Sequence, residues 1–223
     1  MLVNVCLNYY YRLLEIASAR YGNVYVNEQS LLDMVSKVYV FRERSLQSLV
    51  NRLLDSLEDF VVMHNVGLII LDSIASLIRR EFNASIRSNI FERNKVLTRQ
   101  ATQLKHLASS FHIPVIITNQ ITTQFKKPSD VNILHKDNCK VDEDNKCYAL
   151  DDTTKNESTV LALGTYWTHC VNSRILLQYT EMHTLRELCL VKSSQAPPLK
   201  LFYTIDSSGL NIEGYTVLSS YYS

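Results

Sequence analysis

The sequence predicts an α/β fold, with a mostly parallel central sheet flanked by helices and followed by a β-meander. Three observations predict it. Residues 66–71, Val-Gly-Leu-Ile-Ile-Leu, form a short apolar run bounded by Gly67 and Asp72. Such a run reads as a strand buried on both faces of a parallel sheet. Residues 115–120, Val-Ile-Ile-Thr-Asn-Gln, repeat the plan of an apolar run ending in polar groups, and a helical pattern lies between the two. That β-α-β alternation implies parallel strands. From Val160 onward, the segments 160–163, 175–179, 188–191 and 201–205 are closely spaced and β-rich, as a meander added to the sheet would be.

The elements follow in order. Residues 9–20 predict an amphipathic helix with Leu13, Ile16 and Ala17 on one face. Residues 38–41 read as a short strand. Ser45 caps a long helix reaching about His64, in which Leu46, Leu49, Val50, Leu53, Leu57 and Phe60 recur at helical spacing. A second helix, Arg93 to Phe111, buries Leu97, Ala101, Leu104, Ala108 and Phe111 and leaves Arg93, Lys95, Arg99 and Lys105 largely outside that stripe. His112-Ile113-Pro114 stops it. Residues 121–159 are polar, acidic and aperiodic, which marks a long loop of the functional or disordered kind. Asp206-Ser207-Ser208-Gly209 reads as the last turn. Nothing after Gly214 carries a pattern and no segment repeats; the length favours one large domain or two small ones, and residues 1–223 are read as one partial core.

Composition excludes several classes. The 223 residues are 46% hydrophobic and 20% charged, with 5 Gly and 4 Pro, ordinary for a chain with a sizeable core. No apolar run reaches the roughly 18 residues of a membrane span, and the N-terminus lacks the pattern of a signal peptide. A cytosolic or nuclear protein with no membrane partner is expected. Five cysteines without a C-x-x-C pair argue against a disulfide framework, and six histidines show no metal-ligand spacing. Charge is uneven. Residues 72–127 carry 9 basic and 3 acidic side chains, while residues 128–160 carry 4 and 8. The basic stretch suits an anionic partner such as nucleic acid, or a solvated helix face neutralised by the acidic stretch beside it.

Asp72 is the first candidate for chemistry. Ligands of open α/β sheets sit outside the carboxyl ends of the strands. A lone carboxylate there can hold Mg²⁺ through water, because this ion keeps several waters and takes few protein ligands. It can equally cap the following helix. Gln120 stands at the equivalent end of the second apolar strand, and a basic segment lies between them.

Together these stretches resemble the ATPase core of the RecA-type strand-exchange recombinases, and within that family the eukaryotic recombinase paralogues, on their B-type branch. The likeness is carried by Leu-Asp-Ser-Ile-Ala-Ser (71–76), Arg-Arg-Glu-Phe (79–82), Glu-Arg-Asn-Lys (92–95) and Ile-Pro-Val-Ile-Ile-Thr-Asn-Gln-Ile-Thr-Thr (113–123). It continues in Ala-Leu-Gly-Thr-Tyr-Trp-Thr-His (162–169), Val-Asn-Ser-Arg (171–174) and the Lys192-Ser193…Ala196-Pro197 turn, running in order from about Arg12 to Asn211. The resemblance implies ATP and Mg²⁺ as cofactors. Asp72 would hold the metal on the β and γ phosphates, Gln120 would sense the γ-phosphate, and Ser73 and Asn119 would belong to the same site. Residues 79–92 and 121–159 would be the two DNA-facing loops and 160–212 the β-rich end, with Arg79, Arg80, Arg87, Arg93, Lys126 and Lys127 as phosphate contacts. It further implies a nuclear mediator of double-strand break repair by homologous recombination. Such a subunit joins other paralogues, especially the C-type, in a hetero-oligomer acting on single-stranded and branched DNA.

One part of the family pattern is missing. Nucleotide binding in this family begins with G-x-x-x-x-G-K-[ST], whose amides and lysine cradle the phosphates, and no such motif occurs in the 223 residues. Gly209 and Gly214 have the glycine spacing but are followed by Tyr215 and Thr216 among the last strands. The family's phosphate loop, first core strand and water-activating acid would precede Arg12, where Met1 to Tyr10 contains no carboxylate. The first core strand is therefore expected to be absent. Two expectations stand side by side: a piece of a full-length paralogue, or a shortened, catalytically silent scaffold that acts by binding partners.

Overall fold

The structure is a computed structural model that describes residues 2–3, 9–82, 87–125, 157–161 and 163–217. The chain divides into two compact units. The first comprises residues 1–4 and 40–170, the second residues 5–39 and 171–223. Each unit joins segments distant in sequence, which no local pattern announces.

The first unit is the α/β part. Its parallel sheet runs in the order β2 (Val40–Phe41), β1 (Leu2–Val3), β3 (Ile69–Leu71), β4 (Val115–Ile117). The strand at Leu2–Val3, inserted between β2 and β3, has no counterpart in the sequence reading. Ile69 and Leu71 are fully buried, as expected of β3, whereas β4 is an edge strand and leaves Ile116 half exposed. Ser45 caps the helix as predicted, its side chain accepting from the Ser48 N–H. That helix is not uniform: α3 (Leu46–Asn51) and α4 (Leu57–Met63) are joined by a wide π turn at Arg52–Ser56. Leu49, Leu53, Leu57 and Val61, spaced by four, are all buried. The wider turn keeps this spacing on one face, where an α-helix of 3.6 residues per turn would drift. Val61 thereby takes the buried place expected of Phe60.

Two helices follow β3 directly: α5 (Ile74–Glu81), then α6 (Arg87–Phe111). The second starts six residues before its expected beginning at Arg93. Residues 79–81 and 87–92 are thus helical rather than parts of an open loop, and residues 83–86 lie outside the described set. The α6 stripe is Leu97, Gln100, Ala101, Leu104 and Leu107. Gln100 displaces the apolar residue periodicity would place there, and both its amide atoms are buried without a partner among the described residues. The helix ends at His112, whose φ of 53° is the left-handed terminus that stops the turn.

The expected long loop also changes character. Ile121–Phe125 (β5) and Glu157–Leu161 (β6) pair antiparallel, so the ends of the polar stretch form a hairpin stem. Residues 160–161 belong to this stem and not to the meander. Lys126 and Lys127 lie outside the described residues. A short helix, α7 (Gly164–Cys170), meets α6 through a hydroxyl pair, Thr98 Oγ1 to Tyr166 Oη at 2.8 Å.

In the second unit, β7 (Arg174–Tyr179), β8 (Arg186–Lys192), β9 (Leu199–Asp206) and β10 (Gly209–Val217) form an antiparallel sheet in the order β10-β9-β8-β7. Among the described residues it shares no ladder with the parallel sheet, so the meander is a separate sheet and not an extension. Its last turn is the expected one: Gly209 adopts φ +99°, and Asp206 accepts from both the N–H and hydroxyl of Ser208 at 2.7 Å. The helix α1 (Tyr9–Tyr21) is fastened to this hairpin by Arg12 on the Asp206 carbonyl and Arg20 on the Leu210 carbonyl. Helix α2 (Glu28–Ser36) was not expected, although its Asn27/Ser30 capping box is legible in sequence.

One buried carboxylate in the first unit makes stability depend on pH. Burial pushes the Glu43 carboxyl up, but hydrogen bonds from Ser48 Oγ and Arg52 Nε and the guanidinium charge outweigh it and hold it below its usual range. A depressed carboxylate stabilises the fold above its unfolded value, about 4.3, and that contribution disappears as pH falls through the folded value. Urea unfolding of Glu43→Gln is therefore expected to show a deficit against the parent at pH 7 that closes in strong acid. An equal deficit at both pH values would exclude the linkage.

Candidate functional site

The site is built at the carboxyl ends of β3 and β4. Their register pairs Leu71 with Ile117, and the Thr118 N–H donates to the Leu71 carbonyl at 3.0 Å. The next residues, Asp72 and Thr118, therefore stand side by side. The Thr118 hydroxyl donates to Asp72 Oδ1 at 2.5 Å, fixing the direction of an otherwise exposed carboxylate. Thr118 is the residue that sequence reasoning missed. It lies in the quoted strand, but its partnership depends on inter-strand register.

Ser73 starts α5 in an extended conformation, with no side-chain cap hydrogen bond, so Asp72 and Ser73 form the elbow between strand and helix. The strand β4 ends at Ile117 with its apolar residues, three residues before Gln120, where the sequence reading ended it. Thr118, Asn119 and Gln120 are thus a three-residue connector between β4 and the β5–β6 stem. Asn119 is half buried, and its Oδ1 is enclosed without a hydrogen-bond partner among the described residues. Gln120 is exposed, and its carbonyl oxygen accepts from Arg79 Nη2.

The arginines divide. Arg79 and Arg80 occupy the last turn of α5, where cations complement the helix dipole. Neither pairs with Glu81 or Glu92 among the described residues. Arg79 reaches Gln120, and Arg80 donates to the Arg44 carbonyl just after β2. The last turn of α5 thereby brackets loops leaving β2 and β4. Arg93 is half buried, with Nε enclosed and unpartnered among the described residues, and so is less free than its polar-face assignment implied. Arg87 opens α6, and its side chain is outside the described set.

Asp72 is joined by no metal-binding group of three or more His, Cys, Asp or Glu among the described residues. A lone carboxylate beside a hydroxyl suits a water-clothed Mg²⁺ better than a caged metal. The exposed Gln120 amide and the unpartnered Asn119 oxygen supply polar groups at the same rim. The residues fit the metal and terminal-phosphate side of a nucleotide. The lysine and glycine-rich amides that hold the remaining phosphates do not occur in this sequence.

Comparison with known proteins decides the family. A model of the Rad51 family matches residues 9–140, more than half of the chain. The chain belongs to the Rad51 family. It is 37% identical over 214 residues to the human DNA repair protein RAD51 homolog 2, covering 93% of this chain and 52% of that protein. The Mus musculus counterpart is 39% identical over 212 residues, covering 92% and 56%. The DNA repair protein XRCC3 homolog of Arabidopsis thaliana is 31% identical over 114 residues, 51% of this chain and 34% of that one. The chain spans about half the length of the RAD51 homolog 2 relatives it matches. The RecA-type reading of the sequence and its α/β core agree with this family. No helix among the described residues is long and apolar enough to cross a membrane.

Losing the Thr118 hydroxyl leaves Asp72 without its neighbour. Thr118→Val is expected to lower stability by about 0.5–1.5 kcal/mol in urea unfolding, the usual net value of one hydrogen bond, with Thr118→Ser close to the parent. Equal losses for both variants would assign the cost to packing instead.

Proposed function

We propose that this chain is a recombinase-paralogue subunit acting in nuclear double-strand break repair by homologous recombination, within a hetero-oligomer of paralogues that includes a C-type member. The observation that carries the reading is the rim itself. In a Rad51-family chain, Asp72 and Thr118–Gln120 stand at adjacent strand ends beside the arginines of α5. Asp72 would orient a hydrated Mg²⁺ on a nucleotide, Thr118 would hold Asp72, and Gln120 with Asn119 would meet the terminal phosphate. Bound Mg²⁺ would supply charge neutralisation on the phosphates. Arg79 and Arg80 would meet DNA phosphates, with Arg87, Arg93, Lys126 and Lys127 as further candidates.

A second reading is favoured by one specific observation, the absence of G-x-x-x-x-G-K-[ST] from the sequence. Backbone amides and a lysine around the phosphates dominate binding and catalysis in such sites. The 223 residues alone would then act as a catalytically silent scaffold, with nucleotide contacts supplied elsewhere. Nucleotide binding separates the two. Calorimetry with Mg-ATP is expected to give an affinity no better than about millimolar, some −4 kcal/mol. Micromolar binding abolished by Asp72→Ala would overturn the scaffold reading and restore an autonomous site.

DNA binding is tested by salt. Each phosphate contact contributes about 0.7 to the log–log salt slope on single strands. Arg79→Glu with Arg80→Glu is expected to weaken binding to an oligonucleotide and reduce that slope by roughly one to two. An unchanged slope would remove α5 from the interface.

A further inference from the structure

The two arginines closing α5 are held differently. Arg80 is tied to a backbone carbonyl, that of Arg44, whereas Arg79 is tied to a side chain, that of Gln120. Gln120 is neutral and exposed, and its carbonyl oxygen accepts from the Arg79 guanidinium across 41 positions of sequence. A charge-assisted hydrogen bond of this kind directs the guanidinium toward the β4 connector. Its planar donors then address an amide oxygen instead of a phosphate.

We propose that Gln120 is a latch on Arg79. It is a positioning residue that holds the α5 arginine inward, so that an incoming DNA phosphate must displace an amide before Arg79 can pair with it. The inference rests on the reading that α5 meets DNA, and it adds a cost that this reading alone lacks. No movement of the helix is required, only a change of partner by one guanidinium.

The latch makes a sign prediction that a simple contact residue does not. If Gln120 restrains Arg79, removing the amide strengthens DNA binding. If Gln120 itself touches DNA, removing it weakens binding. The test is a double-mutant cycle in the 223-residue chain, using a fluorescent oligo-dT at two salt concentrations. The proteins are the parent, Gln120→Ala, Arg79→Ala and the double variant, with thermal melts showing that all four remain folded. Gln120→Ala is expected to bind about 2- to 10-fold more tightly than the parent, the span of one net hydrogen bond. Arg79→Ala is expected to bind more weakly, and Gln120→Ala to change nothing in the Arg79→Ala background. Gln120→Ala that binds equally or more weakly would overturn the latch, as would a gain that persists without Arg79. Arg79→Ala that binds like the parent would remove Arg79 from the interface and the latch with it. A parent with no salt-dependent binding would instead overturn the DNA reading itself, a separate failure.

Discussion

The site depends on one constraint, the register of the parallel ladder between β3 and β4. Leu71 opposite Ile117 sets Asp72 beside Thr118, and the Thr118 N–H on the Leu71 carbonyl continues the ladder one step past β4. A slip of one residue would turn every side chain to the other face. Thr118 would then point away from the carboxylate. The fully buried Ile69 and Leu71 oppose such a slip, because either would have to surrender its core position. The polar rim is thus located by apolar side chains that take no part in its chemistry.

Around that ladder, the structure resolves polar groups with uneven care. Glu43 is buried, yet both Ser48 and Arg52 serve it. In the other unit, burial raises the Glu187 carboxyl while Cys189, Lys200 and Gln178 act against it, and the balance lies below the usual value. These are structural carboxylates, satisfied by residues two to thirteen positions away. The α5 arginines are different, for their partners are 36 and 41 positions distant. Long-range tethers of exposed cations contribute little stability, so their value lies in what they position.

Much of this was legible in the residues alone. Strand β3, the Ser45 cap, the end of α6 at His112 and the Asp206–Gly209 turn all follow from short-range rules, since a cap or a turn needs only four residues. What was not legible depends on pairing. The ends of the polar stretch, Ile-Thr-Thr-Gln-Phe and Glu-Ser-Thr-Val-Leu, are individually plausible strands, but nothing local says that they pair across the intervening residues. The antiparallel meander was expected, and only its separation from the parallel sheet was missed, for the same reason. Gln100 is the opposite case: its position falls on the buried stripe by periodicity, and its polar side chain is enclosed because Leu97 and Leu104 on either side of it fix which face of α6 turns inward.

On the proposed reading, the connector 118–120 lets a few residues serve two ligands. Its first residue holds Asp72, its second carries an enclosed and unpartnered oxygen, and its third holds Arg79. Three consecutive peptides between a parallel strand and a hairpin stem cannot move independently, because both ends are anchored in ladders. A ligand that reorients the third residue therefore acts on a segment whose first residue is bonded to the proposed metal-side carboxylate. On the proposed reading, the nucleotide and DNA sides of the rim are two residues apart along the chain. Coupling between them then needs no pathway through the core, only two alternative hydrogen-bond arrangements of one short segment.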